Sequence, residues 1–147
     1  MPAFAKQRAA EDPTGFALVD ATREYTWAEV DGALNRCANL LLDAGASGSL
    51  GDGHRVAVFA ENAAETALAH LGGLLAGAST VPVNFHLTAS EAAYILGDSQ
   101  SRIVFVGPET VERGLAAAAE AGVDTVIGWA CDGIEGVTDW SEWLAGG

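Results

Sequence analysis

Four short apolar runs recur along the chain, separated by stretches with helical spacing. They are Arg55-Val-Ala-Val-Phe59, Ser79-Thr-Val-Pro-Val83, Arg102-Ile-Val-Phe-Val106 and Val123-Asp-Thr-Val-Ile127. Continuously apolar strands of this kind belong in a parallel sheet that is covered on both faces. Helical patterns of about 10–15 residues between strands are the mark of strand–helix–strand units. The rhythm predicts an α/β fold: a mainly parallel sheet flanked by helices, with right-handed crossovers. The 147 residues suffice for one domain, which at that size buries roughly 68–70% of the unfolded chain's surface.

The intervening segments carry their own signals. Phe16-Ala-Leu-Val19 and Glu24-Tyr-Thr26 flank a polar stretch and predict a short β-hairpin. Thr26-Trp-Ala-Glu29 has the form of a capping box, opening a helix with Trp27, Val30, Leu34, Cys37 and Leu41 on one stripe. That helix is expected to reach Ala44 and stop at Gly45. Asn62 is the expected cap of the next helix, whose apolar side carries Ala64, Leu68, Leu71 and Leu75 and which Gly77 ends. Thr88-Ala-Ser-Glu91 is a second capping box before Tyr94, Ile95 and Leu96, and a further helix is expected over Pro108 to Ala121. The tail Thr138-Asp-Trp-Ser-Glu-Trp-Leu144 reads as a short helix with two tryptophans to bury. Residues 1–15 are taken as an N-terminal arm, and 16–147 as the domain.

Composition narrows the partners. The formal net charge is −13, from 20 acidic residues against seven Lys and Arg. Such a surface repels phosphate backbones and anionic lipid headgroups, which argues against nucleic acid and membrane surfaces. No apolar run approaches the roughly 20 residues of a membrane span, and Met1 to Pro13 has no stretch like a signal peptide's core. Cys37 and Cys131 lie outside any metal-ligand or redox spacing. The expectation is a cytoplasmic chain with both thiols reduced and packed as small apolar groups.

The usual chemical signatures are missing. Neither GxGxxG nor GxxxxGK followed by Ser or Thr occurs, and the glycines at 48, 51 and 53 precede a strand, the wrong order for a phosphate cradle. There is no GxSxG elbow. His54, His70 and His86 are spread over different elements without metal spacing, and the carboxylates are scattered over helix surfaces.

One stretch stands above this background. Leu75-Ala-Gly-Ala-Ser-Thr-Val-Pro-Val-Asn84 resembles the LxAGAxxVPxN motif of the adenylate-forming acyl-CoA synthetase superfamily. It packs a helix end, a glycine stop, a strand and a polar exit into ten residues. Tyr25-Thr-Trp-Ala-Glu29 with Asn35, Ala38 and Leu41 resembles the family's first helix. Gly51-Asp-Gly-His-Arg-Val-Ala-Val58 resembles its GDRVA strand entry, interrupted by Gly53 and His54, and Asn62 matches an asparagine that commonly follows that strand. Asn84-Phe-His-Leu-Thr88 and Tyr94-Ile-Leu-Gly-Asp-Ser99 resemble the fatty acyl-CoA ligase form NxRLT…YIL.DS, with His86 where many members carry arginine.

The resemblance implies an enzyme that joins a carboxylate to ATP with magnesium and then passes the acyl group to CoA. It also implies that the family's phosphate loop and C-terminal lid lie outside these 147 residues, so no cofactor is expected on this chain. The chain is therefore expected to be the N-terminal structural part of a fatty acyl-CoA ligase, inactive alone. Its expected partners are the remainder of the ligase and, through it, fatty acid and CoA. A non-catalytic interaction module derived from such a ligase, and an unrelated small-ligand domain, are the competing classes. Asn84 and His86 are the substrate- or CoA-side candidates, because they follow a strand's C-terminal end. The competing reading is that Asn84 satisfies the loop backbone and His86 is merely solvated.

Overall fold

A computed structural model of the protein describes residues 3–46 and 55–147. Gly48, Gly51, Gly53 and His54, which figured in the sequence argument, lie outside the described residues. The five-stranded sheet is built from β3 (Arg55–Phe59), β4 (Ser79–Val83), β5 (Ser101–Val106), β6 (Thr125–Gly128) and β7 (Thr138–Asp139). Its order is β4-β3-β5-β6-β7, and every neighbouring pair is parallel. A separate antiparallel hairpin pairs β1 (Phe16–Val19) with β2 (Glu24–Thr26).

Alternation along the strands divides the core in two. Val56, Val58, Ile103, Phe105 and Ile127 face one cluster, which contains Leu34, Cys37 and Leu41 of α2 (Trp27–Asp43) and Leu68 of α3 (Ala64–Leu75). Ala57, Phe59, Val104, Val106 and Val126 face the other, with Leu96 of α4 (Ala89–Asp98) and Ala117 and Ala118 of α5 (Val111–Ala121). A period of two along each strand therefore feeds both layers of helices. Each fully buried large side chain, such as Leu41 or Phe105, contributes about 1.5–3 kcal/mol of transfer free energy. Pro82 sits on β4, which among the described residues pairs only with β3, an edge position of the kind proline tolerates.

Both capping boxes form as expected. Thr26 and Glu29 exchange reciprocal bonds at the start of α2, and Thr88 and Glu91 do so at the start of α4. Gly45 and Gly77 take φ of +69° and +79° just beyond α2 and α3, the left-handed conformation glycine adopts without strain.

Several boundaries differ from the sequence reading. Asn62 does not cap α3: the cap position is Ala63, which makes no side-chain bond there. Asp20 at the end of β1 supplies the acceptor instead, taking the Ala64 N–H at 2.9 Å on Oδ2. Leu75 is exposed, whereas Gly72 and Gly73 are buried along with Ala64, Leu68 and Ala69: a Cβ on Gly72 would collide with Cys37 of α2, and one on Gly73 with Thr80 and Val56 of the sheet. Helix α5 starts at Val111 rather than Pro108, after a turn closed by Thr110 N–H to Gly107 O at 3.1 Å. Strand β6 begins at Thr125, and the tail splits into β7 and α6 (Trp140–Ala145), with Asp139 accepting from Ser141 and Glu142 N–H. Residues 3–11 form a helix, α1 (Ala3–Glu11), whose Phe4 meets the Trp27 ring edge-on at 5.5 Å.

Candidate functional site

The loop between β4 and α4 carries both site candidates. It is a tight turn: Asn84 Oδ1 accepts the His86 N–H at 3.1 Å, and the Asn84 carbonyl accepts the Leu87 N–H at 3.0 Å. Asn84 thus spends its side-chain oxygen on its own loop, the pattern of an Asx turn. His86 is exposed, and its ring lies 4.0 Å from that of Phe85. The two candidates share one turn at the C-terminal end of β4, and among the described residues no other histidine joins them: His70 sits on α3, where burial lowers its pKa.

A residue that local spacing does not reveal holds this loop. Arg113 of α5 donates through Nη1 to the Phe85 and Leu87 carbonyls and through Nη2 to the Glu109 carbonyl. Its guanidinium carbon lies 5.4 Å from the Phe59 ring centroid, within cation–π range.

The strand order reverses between β3 and β5, where open α/β sheets place their ligand crevice. Here the chain's own groups fill that position. The buried Thr110 hydroxyl donates to the Phe59 carbonyl at 2.6 Å, and Glu61 Oε1 accepts the Glu109 N–H at 3.4 Å. Beside it opens a cleft of about 450 Å³, lined by Asp20, Glu61, Glu65, Asp132 and Asp139 with Arg23 and Trp129. Glu61 Oε2 and Trp129 Nε1 are buried without a hydrogen-bond partner among the described residues.

Asp20 organises the outer wall of the cleft. Its Oδ1 accepts from Thr22 N–H, Thr22 Oγ1 and Arg23 N–H while Oδ2 holds the Ala64 N–H. The Ala64 bond, followed by those from Thr22, brings its pKa down to about 2. The Tyr25 hydroxyl donates to Glu65 Oε1 at 3.1 Å, and burial, then the Glu65 charge, pushes its pKa up.

Five carboxylates against one guanidinium repel a triphosphate, so the cleft does not fit ATP. The chain's one lysine, Lys6, lies on α1. Among the described residues, no group of three His, Cys, Asp or Glu side chains is arranged to hold a metal ion. Cys37 and Cys131 are both free and buried, and burial pushes the Cys37 thiol up to about 12. No helix among the described residues is long and apolar enough to cross a membrane.

Residues 5–139 match the family model described as AMP-binding enzyme. The chain belongs to the AMP-binding enzyme family. The long-chain-fatty-acid–CoA ligase FadD13 of Mycobacterium tuberculosis strain H37Rv is 33% identical over 92% of this chain and 24% of its own length. The crystal structure of the N-terminal domain of FACL13 from Mycobacterium tuberculosis superposes over 98% of this chain and 35% of its own, with a TM-score of 0.78 and 29% identity. A benzoate CoA ligase from Burkholderia xenovorans LB400, at 22% identity and a TM-score of 0.83 over 98% of this chain and 28% of its own, shares the fold. The chain thus spans about a quarter of the length of FadD13.

Proposed function

We propose that this chain is the N-terminal α/β part of a fatty acyl-CoA ligase, a scaffold that forms no adenylate by itself. The observation that carries the reading is the likeness to FadD13 and to the FACL13 N-terminal domain across nearly the whole chain. The lining of the switch-point cleft supports the second half, since its carboxylates oppose phosphate binding.

In the complete enzyme, a fatty acid carboxylate attacks the α-phosphorus of ATP, pyrophosphate leaves, and the thiol of CoA then displaces AMP from the acyl-adenylate. Magnesium supplies charge neutralisation on the phosphates. This chain's share of that work is a rigid sheet that presents the Asn84–Leu87 loop to the substrate or CoA side. Asn84 shapes the turn and His86 is the side chain it displays. The remainder of the ligase is the partner. Two unpaired cysteines agree with a reducing cytoplasmic setting.

Equilibrium dialysis against labelled ATP with magnesium tests the division of labour. A chain carrying the downstream ligase regions binds nucleotide saturably, and the 147-residue chain does not. Saturable binding by the short chain would overturn the scaffold reading. No binding by either would remove the ligase assignment and bring forward the interaction-module alternative.

A further inference from the structure

We infer that Arg113 is the positioning residue of the Asn84–Leu87 loop and sets the direction in which His86 is displayed. What the loop faces rests on the ligase reading above; how the loop is held does not. The internal bonds of the turn, His86 N–H to Asn84 Oδ1 and Leu87 N–H to the Asn84 carbonyl, fix its shape but not its place over the sheet. Among the described residues, the hydrogen bonds that tie residues 84–87 to another element all come from Arg113. They fall on the carbonyls of Phe85 and Leu87, the two residues flanking His86, at 2.8 and 2.5 Å. The same guanidinium is anchored to its own helix turn by the Glu109 carbonyl at 2.9 Å and stacks toward Phe59 of β3. One planar group therefore joins α5, the end of β3 and the exit of β4.

Arg113 is also misplaced by the rules of an isolated helix. It is the third residue of α5, in the first turn, where the helix dipole disfavours a cation and favours an acid. A residue that breaks a local rule is retained for what it does elsewhere in the fold. Here that gain is a fork of donors matched to two carbonyls, which the single ammonium of a lysine does not reproduce.

The test has two arms. In this chain, Arg113→Met keeps the apolar stem over Phe59 and removes the donors, and Arg113→Lys keeps the charge. Nitrogen–proton NMR should show the His86 and Leu87 amides and the His86 ring displaced in the methionine variant. Amide exchange at Leu87 should be faster by about fivefold to tenfold, with partial rescue by lysine and a nearly unchanged melting midpoint. Unchanged His86 and Leu87 resonances in both variants would overturn the inference. In a ligase containing this region, Arg113→Met should raise KM for fatty acid or CoA by about tenfold with kcat little changed. An active parent whose KM ignores the substitution contradicts the functional half. An inactive parent contradicts the ligase reading, and the NMR arm then decides Arg113 on its own.

Discussion

Asp20 shows how much one side chain governs at the rim of this sheet. It closes the hairpin turn and caps α3 with the same carboxylate, accepting four bonds across 44 residues of sequence. Loss of such a cap through Asp20→Ala is expected to cost about 1 kcal/mol. The acid dependence has a definite sign. The folded pKa is about 2 against an ordinary 3.8, so the contribution is complete above 3.8 and is lost as the pH falls through 2. Thermal midpoints between those two values should fall less steeply in Asp20→Asn than in the parent, and parallel curves would contradict the assignment. Nothing local marks Asp20 as this cap, whereas Asn62, one residue before the cap position, looks like one. Asp20's geometry depends on the hairpin folding over the start of α3. The same holds for Arg113 and Glu61, whose partners lie 26 to 48 residues away. The position of Asn84 and His86 at a strand exit was legible because a strand end and a capping box bracket them. The competing sequence reading, in which Asn84 satisfies the loop backbone and His86 is solvated, describes the contacts seen.

Elements with strong local chemistry were legible almost to the residue. Both capping boxes and the hairpin form where the sequence places them. Helix α1 was missed because its contact with the body is narrow: Phe4 against Trp27, the buried Ala5, and Arg8 over the same tryptophan. The α3 stripe holds at Ala64, Leu68 and Leu71 and fails only at Leu75, and it overlooks Gly72, where α2 and α3 meet through the absence of a side chain. A Cβ on Gly72 would fall 2.4 Å from Cys37 Sγ, so Gly72→Ala is expected to destabilise by about 1–3 kcal/mol. Gly97 in α4 has nothing within 4 Å of its Cβ position, and Gly97→Ala should be stabilising by about 0.5 kcal/mol. Urea titrations of the two variants should therefore shift in opposite directions, and a shift to lower urea for both would contradict this account of the helix packing.

At the scale of the molecule, the alternation of apolar runs gave away a parallel sheet but not its order. That order decides where a crevice opens, and it places the reversal between β3 and β5. The position that commonly receives a ligand is closed by Thr110 and Glu61 and bordered by carboxylates, which oppose phosphate there. A net charge of −13 disfavours anionic partners over the surface as a whole. The most direct test is pyrophosphate release in ATP, magnesium, CoA and a series of fatty acids. The 147-residue chain is run beside one carrying the downstream ligase regions. The account predicts release only from the longer chain. Release from the short chain would mean that it holds a complete nucleotide site, contradicting its role as a scaffold.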